Sequence, residues 1–363
     1  MTNSIFRAFV RSAAFVLVLF ISTSVIADDA ISFHGYGELH YGNANNDSED
    51  ANMDNHRLVL GWNYTFNEQI ELNVEIDFEH AAKEMELEFA FIDYKITEAF
   101  NFRAGTMIMP MGYLNEFHEP PLFYSVERPY VQKYVIPTTW QEGGAGIFGT
   151  LPNDLRYRVY IVNSLDATGF KASSGIRSGR HKGAEAPSED LAVIGRVEYF
   201  GTKNLRLGFS GYRGNTAHGN VALGDASVTM IESDVRYMFN NLELTGLLSQ
   251  ILIGDADKIS TVTGQDVGES INGSYVEAAY HAGRHFLPND KNLVCFVRHE
   301  LFNTQSEMAA GFTASEKNDR TVTTLGAAYF PISNVALKVD FELWNDAADN
   351  SYERTNVGLA YMY

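Results

Sequence analysis

Apolar and polar residues alternate along most of the chain, in runs of about ten residues that are separated by turn-forming residues. The clearest run covers residues 70–78, where every second residue is apolar. The opposite face of this run carries Glu71, Asn73, Glu75 and Asp77. A strand with one apolar face and one strongly acidic face is typical of a wall between lipid and water.

The same interpretation, applied to the whole sequence, predicts sixteen strands. They are 31–41, 57–66, 70–78, 85–96, 100–108, 144–151, 155–163, 190–200, 205–213, 228–239, 242–253, 275–282, 293–302, 321–330, 335–344 and 354–363. Short turns and longer loops mostly alternate between these strands, with exceptions near 79–84 and 283–292. This pattern predicts an all-β fold, a transmembrane antiparallel β-barrel of about sixteen strands. Fourteen and eighteen strands remain alternatives.

The segment 109–143 interrupts the alternation and holds five of the nine prolines. It is the longest predicted connection, and connections of this length are usually functional or disordered. We expect it to fold into the lumen and narrow it, and we call it the inward loop. The alternative is a long surface loop.

The first 27 residues have the three parts of a secretory signal peptide. Arg7 and Arg11 form a basic start, an apolar run follows, and 25–27 offers a cleavage site. A membrane anchor is the alternative, but the apolar run is shorter than the ~20 residues that a spanning helix needs. The predicted domains are therefore a signal peptide, 1–27, and one barrel domain, 28–363. The terminal Tyr363 adds an aromatic residue at the end of the last strand.

Composition supports the barrel and excludes other classes. The chain is 45% hydrophobic, as expected when only the lipid-facing half of each strand is apolar, and its 13% aromatic content suits interfacial girdles. A formal net charge of −19 argues against a nucleic-acid partner. Cys295 is the only cysteine, so no disulfide forms within the chain.

Several short motifs resemble a Gram-negative porin, and most of all the family of phosphate-selective porins O and P. They are 35–38 (GYGE), 91–95 (FIDYK), 102–105 (FRAG), 109–112 (MPMG) and 124–129 (YSVERP). The resemblance implies a sixteen-stranded barrel, usually trimeric, with a loop folded into the lumen. It also implies lumenal arginines and lysines that attract anions.

The inward loop departs from that family pattern, because its only cations are Arg128 and Lys133. We therefore expect a general or weakly selective channel in the outer membrane of a Gram-negative bacterium. Its partners would be outer-membrane lipid, ions and small hydrophilic solutes, and the assembly a homotrimer. An anion- or phosphate-selective channel and a non-conducting structural or adhesive barrel are the alternatives.

Strand parity places five arginines on the lumen side of neighbouring strands and three glutamates on the inward loop. The arginines are Arg103, Arg156, Arg158, Arg196 and Arg206, and the glutamates are Glu116, Glu119 and Glu127. A basic wall facing an acidic loop would filter ions, because fixed charges set selectivity in a pore. The alternative is that these charges are solvated or paired with one another.

No catalytic residue, metal site or cofactor is expected. The ten histidines show no spacing that completes a ligand set. There is also no nucleophile elbow and no glycine-rich phosphate loop. The sequence therefore predicts a protein that is not an enzyme.

Overall fold

The protein forms a closed barrel of sixteen antiparallel strands in a computed structural model that describes residues 30–46 and 50–363. Every strand pairs with its two sequence neighbours, and β1 closes the sheet against β16. The predicted fold class and strand number are confirmed. The predicted signal peptide, 1–27, lies outside the described residues.

The strands follow one another along the chain with no crossover. Their bounds are β1 Ile31–Ala44, β2 Asn52–Thr65, β3 Ile70–Glu79, β4 Glu84–Lys95, β5 Asn101–Ile108, β6 Gln141–Leu151, β7 Leu155–Asn163, β8 Leu191–Tyr199, β9 Leu205–Gly214, β10 Val228–Phe239, β11 Leu242–Ile253, β12 Ser270–His281, β13 Asn292–Glu307, β14 Asp319–Ile332, β15 Val335–Asp346 and β16 Ser351–Met362.

Closure follows from the backbone chemistry of a spanning sheet. In lipid, a strand edge with free N–H and C=O groups costs several kcal/mol per group, so the sheet must have no edge. The pairing of β1 with β16 runs from Tyr36↔Met362 to Ala44↔Arg354 and removes that edge. Side chains then alternate between lipid and lumen along every strand.

The outer surface is apolar and the lumen is charged. On β13, for example, Val297 and Leu301 are exposed on the outside, whereas Arg298 and Glu300 are buried inside. The same alternation holds on β15, where Val339 faces out and Lys338 faces in. The alternation of apolar and polar residues along each strand therefore gives the barrel wall its apolar outer face and its charged inner face.

The two rims differ as the sequence predicts. One rim carries tight turns such as 152–154, 200–204 and 240–241, where Asn153, Asp154 and Asn240 adopt positive φ angles. Asn and Asp tolerate this conformation better than other residues with a side chain. We call this the short-turn rim and the opposite one the long-loop rim. The connection 282–291 lies at the short-turn rim, and the tight turn 80–83 lies at the long-loop rim.

Several strands extend further toward the long-loop rim than the sequence predicts. Residues 42–55 were expected to be a loop, but β1 continues to Ala44 and β2 begins at Asn52. Strands β12 and β13 also extend beyond the predicted 275–282 and 293–302. Above the lipid both faces of a strand meet protein or water, so the alternation that marks a spanning strand fades there.

Short helices and an apolar cluster fill the space inside and above the barrel. The helices are α1 Tyr113–Glu116, α2 Val131–Tyr134 and α3 Ala256–Thr263, with 3₁₀ turns at Pro120–Leu122, Ala167–Gly169, Arg177–Gly179, Val221–Leu223, Ala282–His285 and Glu316–Asn318. Buried residues of the long loops, such as Phe170, Ile176 and Ile259, pack with inward apolar residues of the strands. Within residues 30–46 and 50–363, no helix is long and apolar enough to cross a membrane.

We predict that Leu325→Arg destabilises the barrel by about 2–4 kcal/mol, the cost of an arginine near the bilayer midplane. Leu325 lies in the middle of β14 with its side chain directed outward, and it is 46% exposed. Val221→Arg is the matched control, because Val221 is 94% exposed on a loop of the long-loop rim. Urea unfolding in lipid vesicles measures the free energy of unfolding of both variants and of the wild type. Equal stability of the two variants would contradict a lipid-facing position for Leu325.

Candidate functional site: the inward loop and the charged lumen

The inward loop, predicted as 109–143, spans 109–140 because β6 begins at Gln141. Hydrogen bonds among Met109, Asn115 and Trp140, which we call the clasp, join its two ends. Met109 N donates to Trp140 O at 2.8 Å. The buried Asn115 amide donates to Met109 O and Trp140 O at 2.7 and 3.0 Å, and its oxygen accepts from Trp140 N at 3.0 Å. Gly112 between them has φ +67°, and a Cβ there would meet Ile136 Cδ1 at 2.9 Å. The clasp turns the chain into the lumen.

From the clasp the loop reaches the opposite wall, where carboxylates bind its backbone. Val126 N donates to Asp340 Oδ2 at 2.6 Å, and Val131 N donates to Glu300 Oε2 at 2.9 Å. Hydrogen bonds to ionised groups contribute more than neutral ones. Since Asp340 lies on β15 and Glu300 on β13, the loop spans the lumen. The expectation that this segment lies inside the barrel is confirmed, and the surface-loop alternative is wrong.

Cations on the same wall bind the loop's oxygens. Lys338 Nζ donates to Pro120 O at 2.6 Å and to Ser125 O at 2.8 Å. Arg298 Nη1 donates to Ser125 Oγ at 2.7 Å while its Nε donates to Glu300 at 2.8 Å. The wall therefore presents alternating positive and negative groups, and each has a complementary backbone or side-chain group on the loop.

A second loop holds the returning arm. Arg180, in the connection 164–190 of the long-loop rim, donates through Nη1 to Pro137 O, Thr138 O and Thr139 O at 3.0, 3.1 and 2.6 Å. Arg177 donates to Lys133 O at 3.3 Å. One guanidinium thus donates to three consecutive backbone carbonyls, and these hydrogen bonds fix the returning arm of the loop inside the lumen.

The loop also contacts the wall of β1–β4 through a buried histidine. His118 Nε2 lies 2.6 Å from Glu88 Oε1 and 2.8 Å from the Tyr36 hydroxyl, and its Nδ1 lies 2.8 Å from Asn115 O. Burial alone would lower the pKa of His118, but the Glu88 carboxylate outweighs burial and raises it above its ordinary value. Both ring nitrogens face acceptor oxygens, on Glu88 and on Asn115, so His118 links the loop to β4.

The three glutamates predicted on the loop have different surroundings. Glu116 pairs with Arg158 at 2.7 Å. Glu127 lies 3.6 Å from His40 Nδ1 and 4.0 Å from Arg354. Burial alone would raise the pKa of Glu127, but the His40 hydrogen bond and nearby cations hold it well below its ordinary value. Glu119 is partly buried, and one of its carboxylate oxygens has no hydrogen-bond partner among the described residues.

The five predicted arginines all lie on the lumen side, but carboxylates neutralise most of them. Arg103 forms a bidentate pair with Asp93 at 2.7 and 2.8 Å. Arg158 binds Glu198 at 2.6 Å in addition to Glu116.

Two more of these arginines belong to the same network. Arg196 is fully buried and binds Asp234 at 2.6 Å, Glu232 at 3.1 Å and Glu198 at 3.2 Å. Arg206 Nε donates to Glu198 at 3.0 Å. These two arginines share Glu198 with Arg158, and Arg158 also pairs with Glu116 of the inward loop. The basic wall and the acidic loop are therefore in direct contact at Arg158.

Arg156 is the exception, because its side chain has no ion pair among residues 30–46 and 50–363. Its guanidinium carbon lies 4.5 Å from the centre of the Phe200 ring. With Arg103 and Arg158 it lines a cavity of about 380 Å³ near the short-turn rim. Glu116 and Phe117 of the inward loop form another side of that cavity. This cavity is the place where the predicted basic wall meets open space.

Sequence reasoning missed the residues that hold the loop. The sequence pattern assigns no role in holding the loop to Asn115, Arg298, Glu300, Lys338 and Asp340. The available signal was opposite charges two residues apart on one inward face, as in Arg298 and Glu300. That pattern shows pairing along a strand, but not the loop backbone that the pair binds.

Comparisons with known proteins agree with this fold. An uncharacterized protein of Aquifex aeolicus (strain VF5) is 32% identical over 348 residues, which cover 90% of this chain and 79% of that protein. The chain belongs to the same family as that protein. No family model matches the chain.

Solved structures of outer-membrane porins and channels share its architecture. An anion-selective porin from Comamonas acidovorans is 12% identical with a TM-score of 0.59, covering 92% of this chain and 99% of that one. The outer-membrane channel DcaP of Acinetobacter baumannii is 10% identical with a TM-score of 0.59, covering 94% and 99%. OmpF of Salmonella typhi, in complex with daunomycin, is 11% identical with a TM-score of 0.59, covering 92% and 97%. At these identities the likeness shows a porin-like barrel fold.

We predict that Lys338→Met costs about 1–3 kcal/mol, because it leaves two buried loop carbonyls without a donor. Lys203→Met, in an exposed turn of the short-turn rim, should change stability by less than about 0.5 kcal/mol. Urea unfolding of the refolded proteins measures the difference. If both variants unfold at the same urea concentration, the Lys338 contacts do not hold the loop.

Proposed function

We propose that the protein is an outer-membrane porin through which ions and small hydrophilic solutes diffuse down their gradients. The observation that carries the proposal is the inward loop, which crosses a charged lumen and is hydrogen-bonded to its far wall. In a porin of this kind the solute passes between the loop and the wall, where fixed charges act on it at short range.

The apolar outer surface and the closed sheet support the location. Exposed apolar side chains surround the barrel, among them Phe209, Val276 and Leu337. A surface of this kind is stable in a bilayer and costly in water. We expect export by the predicted signal peptide, insertion in the outer membrane of a Gram-negative bacterium, and a homotrimer. OmpT of Vibrio cholerae, a structure with 11% identity and a TM-score of 0.55, is described in a trimer form.

General or weak selectivity follows from the pairing of charges. Arg103 and Arg158 bind carboxylates, so their fields are largely cancelled beyond a few ångströms. An anion-selective channel, which includes the phosphate-selective family suggested by the sequence, is the second candidate. It is favoured by Arg156, because this cation has no ion pair within the described part of the chain and lines the cavity of about 380 Å³.

A non-conducting barrel is the candidate from another class. It is favoured by the apolar cluster near the long-loop rim, in which Leu165, Phe170 and Leu223 pack with inward strand residues such as Tyr212. Such a cluster excludes water from the part of the lumen that it occupies. Porin and plugged barrel therefore differ in whether a continuous polar passage remains beside this cluster.

The test is the conductance of the purified, refolded protein in a planar bilayer with a salt gradient. Discrete conductance steps support the porin, and the sign of the reversal potential distinguishes weak from anion-dominated selectivity. A folded barrel that inserts but never conducts would overturn the proposal and favour the plugged barrel.

We predict that Arg156→Gln makes the channel less anion-preferring. A unit charge about 4 Å from a passing ion is worth about 1 kcal/mol in water, favourable for an anion and unfavourable for a cation. The anion-to-cation permeability ratio should therefore fall by up to about thirtyfold, and by less at high salt. Lys203→Gln removes the same charge from an exposed turn of the same rim and should leave the ratio unchanged. Reversal potentials of both variants decide the matter, and identical shifts would show that Arg156 does not face the conducting path.

A further inference from the structure

Histidines are concentrated at one place on the inner wall. Of the ten histidines, His40, His56 and His80 come together where β1, β2 and β3 meet the long-loop rim. The rings of His40 and His56 stack with centroids 4.7 Å apart, and those of His56 and His80 form an edge-to-face pair at 5.4 Å. The porin proposal assigns no role to this group.

Two of these histidines converge on one carboxylate. Asp54 Oδ2 lies 3.1 Å from His56 Nδ1 and 2.7 Å from His80 Nδ1. The three donor atoms all lie within 4.8 Å of one another. Three ligand atoms that bind one tetrahedral ion at ~2.0–2.2 Å are separated by about 3.3 Å. Two of the three separations, 2.7 and 3.1 Å, are slightly below this value, and the third is at most 4.8 Å, so side-chain rotations can bring the three atoms around one ion.

An irregularity of the sheet builds this arrangement. The pairing of β1 with β2 shifts from Glu38↔Arg57 to Leu39↔Asn55, which leaves His56 as an extra residue. Bulges of this kind redirect side chains. In a regular strand Asp54 and His56 would lie on the face opposite to Arg57, whereas here Asp54 pairs with His40 and His56 stacks on His40, on the inner side.

The turn after β3 positions the third ligand. His80, Ala81 and Ala82 have φ angles of 51°, 57° and 66°, a left-handed conformation that is unfavourable for residues with a side chain. Two hydrogen bonds hold this turn against β2, from His80 N to His56 O and from Ala81 N to Asn55 O, both at 3.0 Å. The backbone of the turn therefore fixes the His80 ring over Asp54.

The site is open to solvent on one side and acidic on the other. The side chains of His56, Asp54 and His80 are 26%, 29% and 40% exposed. Behind them, His40 bonds Glu38 at 2.8 Å and lies 3.6 Å from Glu127. Arg57 is the opposing cation, and it is paired with Glu79 at 2.8 Å.

We propose that Asp54, His56 and His80 bind a late first-row divalent cation such as Zn²⁺. Two imidazole nitrogens and a carboxylate oxygen suit zinc, nickel, cobalt and copper, whereas calcium and magnesium prefer oxygen ligands alone. Three protein ligands and an open side leave a position for water or an incoming group. The sequence predicts no metal site because the ligands span residues 54–80 and meet only through the bulge and the turn.

Cobalt titration of the refolded, untagged protein tests this site, because Co²⁺ bound to nitrogen and oxygen ligands absorbs visible light. The wild type should bind one Co²⁺ per chain, and Zn²⁺ should displace it. His80→Gln and Asp54→Asn should each weaken binding by more than about tenfold, a loss that even outer-shell partners of a metal can cause. His285→Gln is the matched control, because His285 lies at the other rim and contacts Tyr280 and Asn241.

Absence of Co²⁺ binding at millimolar concentration, or equal binding by wild type and both ligand variants, would overturn the proposal. Far-UV circular dichroism and the urea midpoint of each variant separate a lost ligand from a misfolded barrel. If one variant fails to fold, the other still decides. Conductance without added metal is a separate measurement, so failure of the metal site and failure of the porin proposal are distinguishable.

Discussion

The binding of the inward loop's backbone by charged side chains of the far wall is the interaction on which the interior of this barrel depends. A chain segment inside a barrel must satisfy its N–H and C=O groups without a sheet of its own. Asp340 and Glu300 accept from loop N–H groups, and Lys338 donates to loop carbonyls. Because these partners are charged and buried, each hydrogen bond is stronger than a neutral one, and its loss is more costly. Loop position and lumen shape are therefore set together.

The same requirement explains why the lumenal arginines are so fully paired. A buried guanidinium without a partner would be strongly unfavourable, so Arg196 and Arg298 each lie among two or more carboxylates. The pairing stabilises the wall but removes most of the field that unpaired arginines would create. Arg156, which lies where the wall meets the cavity near the short-turn rim, has no carboxylate partner among the described residues and keeps its field.

The alternation of apolar and polar residues was enough to predict the barrel. It predicted sixteen strands, and for β10 and β11 it predicted both ends, 228–239 and 242–253. It was least accurate where β1, β2 and β13 rise above the lipid, because the physical cause of alternation is absent there. The inward position of the loop followed from its length and prolines, but its contacts did not. Val126 and Asp340 are 214 residues apart, and no local pattern relates them. His56 and His80 were missed for the same reason, since a single bulge decides which face His56 occupies.

The position of the loop inside the barrel is the central claim, and a cysteine pair tests it most directly. A Cβ at Gly358 on β16 would lie 3.2 Å from the methyl groups of Val126, so cysteines at these two positions can form a disulfide. With Cys295, which is exposed on the outer surface, changed to serine, mild oxidation in vesicles should crosslink Val126→Cys with Gly358→Cys almost completely. Val126→Cys with Val357→Cys should not crosslink, because Val357 faces the lipid on the same strand. Equal crosslinking of both pairs, or of neither, would contradict a loop that is fixed across the lumen.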